Sequence, residues 1–230
     1  MIRAVLFDLG NTLIYNEPPE DVQKRILASK GIKKTQKQIK KALEVAEKHF
    51  YDKFGNTRPV NMTLDEFYIE YDRMVLEELG VKDKKLAKHV HNVWFDEVEL
   101  KAHDDAPVVL NRLSAMGLRL GMVSNGYVEE LNFIMKQVGL PANLFSVLVG
   151  RDTVGVPKPD PRPFVHAAGS LGLRPDEVLF VGDDFFKDYE GSQGAGMMSV
   201  LILRGKKPPA EAPDDITKIQ TLDEIMNLIQ

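Results

Sequence analysis

The chain has 230 residues, 43% hydrophobic and 28% charged, with a formal net charge of −4, which fits one large soluble domain or a core carrying a smaller insertion. Lysines and acids are interspersed rather than blocked, so nothing suggests a nucleic-acid footprint. The absence of cysteine excludes disulfides and thiolate metal sites and fits a cytoplasmic protein. No signal peptide is expected at the N-terminus, and no apolar run approaches the roughly 20 residues that cross a bilayer.

The first element is the apolar run Ile2-Arg3-Ala4-Val5-Leu6, which feeds FDLGNTL, Phe7 to Leu13. That stretch places Asp8 where a strand gives way to a Gly-Asn turn. Residues about 16–104 then read as helical. Ile39, Leu43, Ala46, Phe50 and Phe54 share one helical face, as do Leu64, Phe67, Tyr71, Met74 and Val75. Leu86, Val90, Val93 and Trp94 continue the pattern, Thr63 with Glu66 predicts a capping box, and no strand is expected here. The Lys33–Lys41 cluster reads as a solvated helix face.

From about residue 105 the texture changes. LGMVSNG, FSVLVG, VLFVGDD and MMSVLILRG are short apolar runs broken by Gly or Asp, as in parallel strands covered on both faces. The helical stretches APVVLNRLSAMG and YVEELNFIMKQVG each close on a glycine. GKKPPAEAPDD reads as a loop and LDEIMNLIQ as a terminal helix. The alternation predicts an α/β, doubly wound parallel-sheet core over residues 1–15 and 105–230, with an all-helical domain inserted at 16–104.

Polar clusters follow the strands: Asp8 to Thr12, Ser124-Asn125-Gly126, and Gly182-Asp183-Asp184 with Asp188; Lys158 of VPKPDPRPF lies a few residues beyond FSVLVG. The carboxyl ends of parallel strands converge on one crevice, so these groups should face one another. Several carboxylates cannot stay ionised in a small cleft without neutralisation. Lys158 supplies one positive charge, and a divalent cation held by oxygen ligands, Mg²⁺ by its hardness, would supply the remainder.

In this order the four motifs resemble those of the haloacid dehalogenase (HAD) superfamily of hydrolases, across essentially the whole chain. FDLGNTL resembles the first motif, with Asp8 at the nucleophile position and Thr12 at its threonine. GMVSNG resembles the second, Ser124 and the amides of Asn125 and Gly126 matching the groups that hold a phosphoryl group. KPDPRPF resembles the third, Lys158 matching the lysine that holds nucleophile and phosphate. VGDDFFKD resembles the fourth, Asp183 matching a metal ligand, Asp184 a second ligand or an outer-shell group, and Asp188 the last, supporting acid. The helical insertion falls where this family carries its C1 cap. The resemblance implies a Mg²⁺-dependent phosphatase acting on a small phosphorylated metabolite through an aspartyl-phosphate, as a monomer or homodimer with no nucleic-acid or membrane partner. Asp8, the Gly10 carbonyl, Asp183 and Asp184 would be the metal ligands.

One position departs from the pattern. Family phosphatases carry an acid at Gly10, which protonates the leaving alcohol and then activates water; such help is worth about 10²–10⁴-fold. Its loss favours leaving groups that need no proton. It keeps three alternatives open: a 2-haloacid dehalogenase, a phosphonoacetaldehyde-type C–P hydrolase with a Schiff-base lysine among Lys24, Lys30 or Lys53, and a weakly active relative. The dehalogenase pattern lacks metal and has no acidic pair at the fourth motif. Trp94, Arg25 and Arg58 are possible substrate contacts from the insertion, with packing or surface roles the commoner outcome. His49, His89, His91 and His103 share no ligand spacing.

Overall fold

A computed structural model of the chain describes residues 1–55 and 57–229. In chain order its elements are β1 (Ala4–Phe7), β2 (Ile14–Asn16), α1 (Pro19–Ser29), α2 (Gln36–Phe54), α3 (Leu64–Glu78), α4 (Lys84–Glu97), β3 (Leu100–Ala102), α5 (Asp105–Ala115), β4 (Arg119–Val123), α6 (Val128–Gln137), β5 (Phe145–Val149), α7 (Arg151–Val154), α8 (Pro161–Ser170), β6 (Val178–Gly182), β7 (Met198–Ile202) and β8 (Lys218–Ile219). They form two compact units, Met1–Tyr15 with Leu100–Gln230, and Asn16–Glu99.

The first unit is a six-stranded sheet in the order β5-β4-β1-β6-β7-β8, with every neighbouring pair parallel. Alternation along β1 shows why the strand is so apolar. Val5 and Phe7 pack into one cluster with Val109 and Leu113 of α5 and Leu131 and Met135 of α6. Ala4 and Leu6 pack on the opposite face with Phe164 and Ala168 of α8. A strand buried on both faces has no polar side to display. FSVLVG departs from the predicted burial: β5 is an edge strand, and most of it is only half-buried.

The register sets up the site. Phe7 pairs with Met122 on one side and Val181 on the other, so β1, β4 and β6 end level with one another. Asp8, Ser124 and Asp183 follow those ends.

The second unit consists of α1 to α4. Ile26, Ile39, Val75, Leu76 and Val90 form its apolar cluster, with Trp94 packed against it. The Thr63–Glu66 capping box is present: the Thr63 N–H donates to Glu66 Oε2 at 2.8 Å and the Glu66 N–H to Thr63 Oγ1 at 3.2 Å. A second box, Thr35 with Gln38, opens α2.

Two expectations need correction. Strands do occur near the ends of the 16–104 stretch: β2 and β3 form a two-stranded ribbon, each too short to leave an alternating pattern. Within the segment read as a terminal helix, Leu222–Asn227 winds as a 3₁₀ helix, and Gln230 lies outside the described residues. The chain after GKKPPAEAPDD also adds β8 to the sheet edge.

Candidate active site

Asp8 is delivered by the end of β1. Its N–H prolongs the sheet, donating to the Val181 carbonyl at 2.9 Å. The chain then turns back on itself, the Leu13 and Ile14 N–H groups both donating to the Leu9 carbonyl at 3.0 and 3.1 Å. Asn11 takes the left-handed conformation in this turn, with φ 52°, one that asparagine tolerates better than most residues. Gly10 forms an isolated bridge with Ile14.

Lys158 reaches Asp8 from the loop before α8, and Asn125 fixes that loop. The Lys158 N–H donates to Asn125 Oδ1 at 2.7 Å, and Asn125 Nδ2 donates to the Lys158 carbonyl at 3.1 Å. The Asn125 side chain is thus spent on the lysine's backbone. Lys158, only 4% exposed, places Nζ 2.6 Å from Asp8 Oδ1 and 2.5 Å from Asp188 Oδ1.

Asp188 sits on a π-wound turn, Phe185–Glu190, where the Asp188 and Tyr189 N–H groups both donate to the Asp184 carbonyl. Such widened turns are rare and recur at functional sites. Asp188 Oδ2 accepts from the Asp184 N–H at 3.1 Å, and its side chain lies against Gly182. A Cβ at Gly182 would come within 2.4 Å of the Asp188 carboxylate, so only glycine fits there.

The site residues divide on inspection. Asp8, Asp183 and Asp188 offer oxygens that all lie within 4.8 Å of one another. Asp184, expected as a ligand, does not belong to that group: its Oδ1 accepts from the Lys187 N–H at 2.8 Å, and its Oδ2 lies 3.4 Å from Lys187 Nζ. It caps the π-wound turn, and Asp188 takes its place in the cluster. Ser124 Oγ accepts from the Gly126 N–H at 3.3 Å, and both residues are half-buried at the end of β4. Thr12 is fully buried with its hydroxyl unpartnered among the described residues. In the helical unit, the Arg25 fork is committed to Glu17 at 2.8 and 2.9 Å and to Glu97 at 3.1 Å.

Electrostatics follow from burial. Desolvation pushes the Asp8 carboxyl up, and the Lys158 ammonium offsets part of that. Asp188 is raised to about 6 for the same opposing reasons. Asp183 is raised by burial and then by Asp188. Burial alone would lower Lys158, but the facing carboxylates of Asp188 and Asp8 hold it above the usual lysine range. Three acids against one buried ammonium leave a deficit of positive charge. Lys206, 3.6 Å from Asp183 Oδ2 and 64% exposed, adds little through solvent. A set of carboxylate oxygens with a charge deficit fits a hard divalent cation.

Sequence reasoning missed a second polar group beside the Asp8 turn. Arg204 Nη1 donates to Asp105 Oδ2 at 2.6 Å, and its Nη2 donates to the Thr12 carbonyl at 2.5 Å. The His103 N–H holds the next carbonyl, Leu13, at 2.9 Å. Arg204, Asp105 and His103 belong to none of the four motifs; the only trace in the sequence is an arginine that closes the apolar run MMSVLIL.

The acidic cluster and buried lysine lie at the carboxyl ends of the parallel strands, where open α/β sheets place their ligand sites. The haloacid dehalogenase-like hydrolase family model matches residues 2–196, and the chain belongs to that family. It is 30% identical over 226 residues to a glyceraldehyde 3-phosphate phosphatase of Methanopyrus kandleri, covering 94% of this chain and 90% of that protein. It is 31% identical over 219 residues to a phosphoglycolate phosphatase of Aquifex aeolicus, covering 93% and 91%. A solved 2-haloacid dehalogenase from Pseudomonas syringae shares the fold, with a TM-score of 0.68 at 22% identity, covering 99% of this chain and 98% of that one.

Proposed function

We propose that the protein is a Mg²⁺-dependent phosphatase that cleaves a small phosphate monoester through an aspartyl-phosphate at Asp8. The observation that carries this is the grouping of Asp8 with Asp183 and Asp188 around a single ammonium. Such a site attracts a cation and repels the carboxylate of a 2-haloacid. The similarity to phosphatases acting on small phosphorylated metabolites supports it.

Asp8 is the nucleophile, attacking phosphorus in line while the alcohol departs. Lys158 orients the Asp8 carboxylate and offsets charge on the phosphoryl oxygens, which Ser124 and the amides of Asn125 and Gly126 also receive. Asp8, Asp183, Asp188 and the Gly10 carbonyl would hold Mg²⁺, which when bound neutralises charge on the transferring group. Water then cleaves the aspartyl-phosphate. With Gly10 unable to donate a proton, phosphates with good leaving groups react faster than alkyl phosphates. The protein works in the cytoplasm.

The test is hydrolysis of an aryl phosphate by wild type and Asp8→Asn, with Mg²⁺ and with chelator. Wild-type turnover requires the metal, and Asp8→Asn lowers it by about 10⁴-fold or more. Halide release from a 2-haloacid in the presence of chelator would instead establish the dehalogenase.

A further inference from the structure

We infer that Arg204 is a positioning residue that fixes the catalytic turn of Asp8. The inference rests on the proposed role of Asp8, and four observations carry it.

The first is backbone conformation. Arg204 has φ 49°, in the left-handed region, one residue before Gly205 at φ 83°. A long L side chain in that conformation is strained, and such outliers persist where the surroundings enforce them, commonly beside functional sites. Glycine would sit there without strain, so something other than backbone fit accounts for arginine.

The second is what the side chain does. Its fork spans two elements, Asp105 at the start of α5 and the Thr12 carbonyl. Thr12 lies four residues after Asp8 and two after Gly10. A planar fork with fixed donor directions does this; a single ammonium does not.

The third is the convergence of anchors. Asp105 Oδ2 also accepts from the Leu222 N–H at 2.9 Å, which fixes the carboxylate that fixes Arg204. With His103 holding Leu13, two consecutive carbonyls of the turn are restrained from outside it.

The fourth is burial. The side chains of Arg204 and Asp105 are 11% and 13% exposed. Arg204 Nε, Asp105 Oδ1, His103 Nε2 and Thr12 Oγ1 are buried without a hydrogen-bond partner among the described residues. Leaving polar groups unsatisfied is costly, so the pair is a poor device for stability alone. It makes sense as a device for geometry: Asp8 must lie in line with phosphorus, where small misplacements cost large factors in rate.

Arg204→Gly tests this, because it removes the fork and the backbone strain together, with circular dichroism to check that the fold is kept. Turnover of an aryl phosphate falls about 10- to 100-fold with KM within about twofold, and added guanidinium restores part of it. In hydrogen exchange, the Leu13 and Ile14 amides open about tenfold faster than in wild type, whereas amides of β6 do not. Arg204→Lys behaves like the glycine variant, since charge without the fork cannot bridge both partners. Wild-type turnover in Arg204→Gly, or unchanged exchange at Leu13 and Ile14, would overturn the role. If wild type lacks phosphatase activity, the reading of Asp8 fails by itself, and the exchange measurement still decides whether Arg204 holds the turn.

Discussion

The two units bury polar groups in opposite ways. At the edge of the sheet, Asp8, Lys158 and Asp188 are joined by contacts of 2.6 and 2.5 Å, with Asp183 in ligand reach of both acids. In the helical unit, Gln23 is fully buried with neither polar atom hydrogen-bonded to a described residue. Asp72, 8% exposed, has its carboxyl raised well above the usual range by burial alone. Grouped acids around a buried ammonium concentrate charge for chemistry. Isolated polar groups in an apolar helical cluster only cost stability unless neutral or satisfied.

The sharpest way to break this contrast is Lys158→Met. It leaves Asp8 and Asp188 buried without their ammonium, and urea unfolding in chelator should show a loss of about 3–5 kcal/mol. Saturating Mg²⁺ should restore part of it. A loss too small to resolve would mean that the cluster is not held by charge.

Gly10→Asp adds an acid to the same site and should raise turnover of alkyl phosphates about 10²-fold, with a smaller gain for aryl phosphates. Asn11, not residue 10, carries the turn's left-handed conformation, so an aspartate there need not adopt it. Steady-state kinetics on the two substrate classes separate restored acid catalysis from a general improvement.

Asp72→Asn probes the other side of the comparison. The folded pKa of Asp72 lies above its unfolded value, so its favourable contribution is present below the unfolded pKa and lost as pH rises through the folded one. The substitution should therefore stabilise by about 1–3 kcal/mol at about pH 8 and by almost nothing at about pH 4. Paired denaturant melts at the two pH values check this. The smallest effect belongs to the helix starts: Thr63→Ala removes one capping box, costing about 1 kcal/mol, read as a lower unfolding midpoint with metal-dependent turnover unchanged.

Much of the molecule was legible one segment at a time. The apolar runs marked β1, β4, β6 and β7 because strands covered on both faces carry no polar alternation. The amphipathic faces marked α2 and α3, and Thr63 with Glu66 announced its own cap. That Asp8, Lys158, Asp183 and Asp188 come together was legible from their order after successive strands. Asp183 and Asp184 look equivalent in the sequence, and only the π-wound turn separates them: it turns the Asp184 side chain to the Lys187 N–H and leaves Asp183 beside Asp8. β2, β3 and β8 were illegible because two or three residues hold no period.

Local patterns, then, determined the longer strands and helices, where the acids and the lysine fall, and that residue 10 has no acid to give. Those properties depend on neighbours a few residues apart. Tertiary structure alone decided that Asp188 rather than Asp184 joins the cluster, that Asn125 serves the backbone of Lys158, and that Arg204 reaches the Thr12 carbonyl across 192 residues of chain. Hydrogen bonds between distant segments depend on where packing sets each backbone, and no short stretch of sequence contains that information.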